Sequence, residues 1–189
     1  MINNIGFILI IVAIIPVIIS IFHEHKGFFN IKTVILEHFK MFKNCKSQYI
    51  VFYGSPLLLS VGLAFIYDAK DDFYNNLSVI ISIILSMLFA VLAILSSYNY
   101  SNTSGNASNI LKVVNETINS IVFETMICVF LLLYGMIVII IHDVTTLNII
   151  VNKCLTGVSC FFFTVLLLDL LVVIKRMSKI IKIKMNERN

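Results

Sequence analysis

Long apolar runs alternate with short polar segments along this chain. Five runs are long enough for a helix to cross a bilayer, which takes about 20 residues. They fall at about 4–22, 49–68, 78–98, 121–141 and 155–174. The third, from Ser78 to Tyr98, carries no charge. The runs lack the strict alternation of a barrel strand, and an open sheet would leave backbone groups unpaired in lipid, so the spans are predicted to be helices. The two prolines of the chain, Pro16 and Pro56, fall in the first and second spans. Each removes a backbone donor and predicts a bend turned toward protein, where the freed carbonyl finds another partner.

The segments between the spans are patterned too. In 23–48, Ile31, Val34, Ile35, Phe39 and Phe42 share one helical face, and Lys32, Thr33, Glu37, Lys40 and Lys43 take the other. That pattern predicts an amphipathic helix in the membrane interface. Segment 99–120 is polar to Asn109 and then periodic at Ile110, Val113, Val114, Ile118 and Ile121, which predicts a helix from about 108 into the fourth span. Ile180, Ile181 and Ile183 among the tail lysines predict that the fifth helix continues past the membrane. The expected fold is all-α: a polytopic membrane bundle of five helices, with an interfacial helix and short cytoplasmic extensions. A four-span bundle is the alternative, and the last two spans can pack as a tight hairpin.

Composition narrows the class. The chain is 59% hydrophobic and 13% charged, with a mean hydropathy of +0.99. A typical soluble domain is nearer half apolar and a quarter charged. Such a chain cannot cover itself with polar surface, which excludes a soluble enzyme, a direct nucleic-acid binder and a secreted disulfide scaffold. The first span has no basic residue ahead of it and no small-residue cleavage site after Phe22, so it is read as a retained anchor.

Basic residues set the expected orientation. Lys26, Lys32, Lys40, Lys43 and Lys46 follow the first span, Lys112 follows the third, and Lys175, Arg176, Lys179, Lys182, Lys184 and Arg188 follow the fifth. Only Lys70 and Lys153 fall on the opposite side. Twelve against two places the N-terminus outside and the C-terminus in the cytoplasm. The four glycosylation sequons at Asn99, Asn102, Asn106 and Asn115 then lie where that chemistry does not act. The Ile, Asn and Lys bias points to an AT-rich bacterial genome, hence a bacterial inner membrane.

Three groups of residues are candidates for function. Ser78, Ser82, Ser86 and Ala90 recur every four residues along the third span, with Ala93 and Ser97 close to the same stripe. Small residues let helices approach and hydroxyls bond across the contact, so the stripe predicts an oligomer seam or, alternatively, a pore lining. Glu124 and Asp169 are acids inside spans, both near the inner interface, with Lys112, Lys175 and Arg176 as possible counter-charges. Lys32, Lys40, Lys43, Lys46, Lys175, Arg176, Lys179, Lys182 and Lys184 form a basic face for anionic headgroups or a soluble protein. No metal set is expected: His23 and His25 flank Glu24 but point apart on a helix, and the four cysteines contain no CxxC pair. Asp68, Lys70, Asp71 and Asp72 read as a solvated cap.

There is no phosphate-binding glycine loop, HExxH, GxSxG or internal repeat, so no enzymatic activity and no cofactor are expected. The leading expectation is a non-enzymatic, homo-oligomeric bacterial membrane subunit. Its basic cytoplasmic face would recruit or respond to a soluble partner, as an anchor, sensor or effector in stress or antiviral defence. The alternatives are a small channel or transporter lined by the serine stripe, and a toxin or bacteriocin immunity protein.

Overall fold

The structure, a computed structural model, describes residues 31–41, 46–96, 107–144 and 148–188. The described residues form helices and their connections, with no strand. The helices are α1 (Ile31–Met41), α2 (Lys46–Ile66), α3 (Asp71–Ser96), α4 (Ala107–Val144) and α5 (Ile149–Arg188). Four of them, α2 to α5, are long and apolar enough to cross a membrane, and the chain is a multi-pass membrane protein. The first expected span, 4–22 with Pro16, lies outside the described residues.

The chain divides into two compact units, Met1–Met41 and Phe42–Asn189. In the first, α1 exposes Lys32, Thr33 and Glu37, half-buries Val34, Ile35 and Phe39, and buries His38. The His38 and Phe39 rings meet edge to face with centroids 6.0 Å apart.

In the second unit the helices pack as a row, α2 on α5, α5 on α4 and α4 on α3. Chain direction reverses at each turn, so every pair in the row is antiparallel. The register of α4 explains its central place. Val114, Thr117, Ile121, Glu124, Cys128, Leu131, Gly135 and Val138 are spaced alternately three and four apart, and all are buried. That spacing keeps one stripe facing a neighbour over the whole helix. On α3, Tyr74, Leu77, Ile81, Ile84, Leu88 and Leu95 form the buried stripe. On α2 the buried residues are Pro56 and Ser60, one turn apart, so the proline faces protein. The outward faces carry Leu58, Phe65, Ile66, Ile83 and Leu171, an apolar surface suited to lipid.

Helix ends follow from local chemistry. Asp71 and Asp72 occupy the first turn of α3, where the helix dipole favours negative charge. Asn148 caps α5: its side-chain oxygen accepts from the Ile150 N–H at 3.3 Å. The helix that carries the third span therefore starts at Asp71, ahead of the apolar run from Ser78, because polar residues in a first turn are good helix starters. The last two helices overrun their apolar runs as the periodicity of 110–121 and 180–183 anticipates. With 38 residues in α4 and 40 in α5, they are about 57 and 60 Å long. A hydrocarbon core is about 30 Å thick.

Candidate functional site

Glu124 and Asp169 both fall on the packed seam between α4 and α5. Glu124 occupies a place in the α4 stripe that Ile121 and Cys128 fill on either side, and it is fully buried. Asp169 is 2% exposed on α5, on the face that also buries Leu166 and Val173. Glu124 lies twenty residues before Val144, and Asp169 twenty residues after Ile149. At 1.5 Å per residue both sit about 30 Å from the turn that joins the two helices. They are therefore at one level, and they interact electrostatically.

The surroundings are sparsely polar. Neither carboxyl oxygen of Glu124 has a hydrogen-bond partner among the described residues. Thr117 and Ser120 lie within two turns, but their hydroxyls bond back to their own helix, to Val113 O at 2.7 Å and Glu116 O at 3.2 Å. The Arg176 guanidinium reaches across from α5 to the Ser120 hydroxyl at 3.5 Å and the Glu116 carboxylate at 3.8 Å. It also acts electrostatically on Asp169, which in turn acts on Tyr53 of α2. Of the expected counter-charges, Lys112 and Lys175 are exposed. Two carboxyls buried in one seam are costly as two bare charges. No group of three or more metal-ligating side chains occurs among the described residues.

The small-residue stripe divides. Ser78 is half-buried, and its hydroxyl oxygen lies 3.6 Å from where a Cβ on Gly135 would stand, so it belongs to the α3–α4 contact inside the protomer. Ser82, Ser86, Ala90 and Ala93 are exposed, and Ser97 lies outside the described residues. The Ser82 and Ser86 hydroxyls donate to the carbonyls of Ser78 and Ser82 at 2.8 and 2.9 Å. Their backbone bonds are thus local, and the stripe presents a smooth small-residue surface.

Of the basic residues singled out, Lys32 is exposed in the first unit; in the second, Lys112, Lys175, Lys179 and Lys182 are exposed and Arg176 is half-buried. Lys43 and the side chains of Lys40, Lys46 and Lys184 lie outside the described residues. Cys128 and Cys160 are buried free thiols and Cys154 is an exposed one.

A second polar cluster, at the turn end of the row, has no counterpart in the motif reading. His142 Nδ1 lies 2.8 Å from Asp71 Oδ1, and its Nε2 lies 3.2 Å from Asn152 Oδ1. The Asn152 amide nitrogen donates to Asp68 Oδ1 at 3.1 Å and to the Ala69 carbonyl at 3.2 Å. Lys153 donates to the Phe65 carbonyl at 3.4 Å. Of the four residues expected as a solvated cap, Asp68, Lys70 and Asp72 are exposed and Asp71 is half-buried; Asp68 and Asp71 also have the side-chain partners just described. The sequence signal was slight: one histidine in the last turn of a long helix, ten residues before an asparagine.

Comparison with protein-family models, curated proteins and solved structures finds no match to this chain.

Proposed function

We propose that the chain is a non-enzymatic, homo-oligomeric subunit of a bacterial cytoplasmic membrane. Its N-terminus is outside and its C-terminus in the cytoplasm. Its basic cytoplasmic face recruits or responds to a soluble partner, as an anchor, sensor or effector in a stress or antiviral defence system. One observation carries this reading. Helices α4 and α5 are about twice as long as a bilayer needs, and they bury Val114 and Ile180 beyond the level of the two acids. The hairpin extension carries exposed Lys112, Lys175, Lys179 and Lys182. A rigid basic post of this kind offers a docking point to an acidic protein surface, and nearby anionic headgroups strengthen its hold on the membrane. The exposed Ser82, Ser86, Ala90 and Ala93 support assembly, since small residues permit a close contact with a second copy.

The test is the native mass of the complex purified from host membranes in mild detergent, for wild type and for Lys175→Glu/Lys179→Glu/Lys182→Glu. A homo-oligomer carrying a stoichiometric soluble protein, lost in the triple variant, supports the reading. A monomer with no partner overturns it.

A conducting assembly is the second reading, favoured by the buried Glu124 carboxyl, which has no hydrogen-bond partner among the described residues and is acted on by Asp169. A ring-sized homo-oligomer alone, with ion flux in vesicles that Glu124→Gln or Ser82→Leu alters, would favour it over the first.

A further inference from the structure

We infer that His142 is a proton-binding site that clasps the turn ends of α3, α4 and α5 together. The argument rests on what its two ring nitrogens face. Nδ1 faces a carboxylate oxygen of Asp71 at 2.8 Å, and Nε2 faces the side-chain oxygen of Asn152 at 3.2 Å. Amide oxygen and nitrogen are easily confused, but Asn152 has little freedom here. Its other end approaches two oxygens, Asp68 Oδ1 at 3.1 Å and the Ala69 carbonyl at 3.2 Å, and only an NH2 group can serve both. The amide oxygen must then point at His142. Both ring nitrogens therefore face acceptors, and both contacts are hydrogen bonds only when the ring carries two protons.

Removing one proton has a defined consequence. A neutral ring keeps its bond to Asp71 or its bond to Asn152, and the other contact becomes lone pair against lone pair. Flipping the Asn152 amide does not repair this, because the flip turns its oxygen onto Asp68 and Ala69 and forfeits two bonds for one. The clasp is complete with the doubly protonated ring and incomplete with the neutral one.

The electrostatic setting agrees. His142 lies in the last turn of α4, where the helix dipole favours a cation, and Asp71 in the first turn of α3, where it favours an anion. Asp143 is the neighbour on its own helix and is exposed. From α3 come Asp71 and the Tyr74 ring, edge-on to the imidazole at a centroid distance of 6.0 Å. From the α2–α3 turn, Asp68 acts through Asn152 and Lys70 is exposed, as is Asp72 in the first turn of α3. From α5, Lys153 is turned to the Phe65 carbonyl. The His142 side chain is 16% exposed and that of Asp71 is 46% exposed, so protons reach the site from the compartment at this end of the helices.

Thermal unfolding of the full chain in one detergent, at about pH 5.5 and about pH 8, tests the site across the imidazole range. Wild type should lose about 2–4 °C on going to the higher pH beyond any change in His142→Gln. Asn152→Ala, which deletes the acceptor at Nε2 but leaves Asp71 at Nδ1, should reduce the same pH-dependent loss and serves if His142→Gln does not fold. Ring ¹⁵N spectra of wild type, with the His142 signals assigned as those missing from a variant, should show both nitrogens protonated at the lower pH. Equal pH dependence in wild type and variant would overturn the proposal. So would a His142 ring with one bare nitrogen at about pH 5.5.

Discussion

Replacing Glu124 with leucine should make the protein more stable. The carboxyl is fully buried, and both of its oxygens lack a hydrogen-bond partner among the described residues. A buried polar group left unsatisfied costs about 1–3 kcal/mol. Asp169, which acts on it electrostatically, carries the same sign when ionised, so it offers the carboxylate no compensation. Leucine matches Ile121, Cys128 and Leu131 along the same buried stripe. It is somewhat bulkier than the carboxylate-bearing chain, and such near-isosteric changes cost under about 1.5 kcal/mol. The net gain is on the order of 1–2 kcal/mol, taking the relieved polar cost against the packing cost. At about 2–4 °C per kcal/mol for a chain of this size, the unfolding midpoint should rise by roughly 2–8 °C. Glutamine at the same place keeps a polar group in the seam and should shift the midpoint little. The assay is thermal unfolding of wild type, Glu124→Leu and Glu124→Gln in the same detergent. A midpoint for Glu124→Leu several degrees below wild type would refute the reasoning, because it would mean that the carboxyl is held by a favourable partner. A more stable Glu124→Leu that has lost its biological effect would mark the acid as retained for function against stability.

Three further outcomes follow from the packing. A Cβ on Gly157 would stand 3.4 Å from the Ala64 side chain, whereas one on Gly62 would meet nothing within 4 Å. Gly157→Leu should therefore overpack the α2–α5 contact and lower stability by about 1–3 kcal/mol. Gly62→Ala should raise it by about 0.4–1 kcal/mol, and the two midpoints moving together would contradict this contact. Ser78→Leu should destabilise the protomer through the Gly135 contact, while Ser86→Leu should leave the midpoint unchanged and lower the native mass; an unchanged mass would remove the stripe from any seam. Tyr134 donates to the Leu155 carbonyl at 3.0 Å, which Ser159 also serves at 3.1 Å. Tyr134→Phe should then cost only about 0.5–1 kcal/mol, and a loss several times larger would show that the hydroxyl has a second role.

Hydropathy alone located the four described membrane helices, because burying backbone in lipid leaves a long apolar run no other option than a helix. Polar residues continue the helices beyond those apolar runs: α3 begins at Asp71, and α5 continues past Ile174 as the isoleucines at 180–183 anticipate. The repeat from Val114 to Val138 was also legible in principle, since alternating three- and four-residue spacing is a property of one segment. It placed Glu124 on a packed stripe, yet spacing within α4 says nothing of what the stripe packs against. That Glu124 meets Asp169 depends on a short turn that sets the register of α4 on α5. That Ser78 and Ser86 have different fates depends on which side of α3 the α4 helix covers. His142, Asp71, Asn152 and Asp68 come from three helices and a turn, and the bonds from His142 to Asp71 and from Asn152 to Asp68 span 71 and 84 residues. A sequence determines the periodicity of each helix and the chemistry it carries. Only the tertiary structure decides which faces meet, because that choice is made by helix-on-helix packing between segments far apart in the chain.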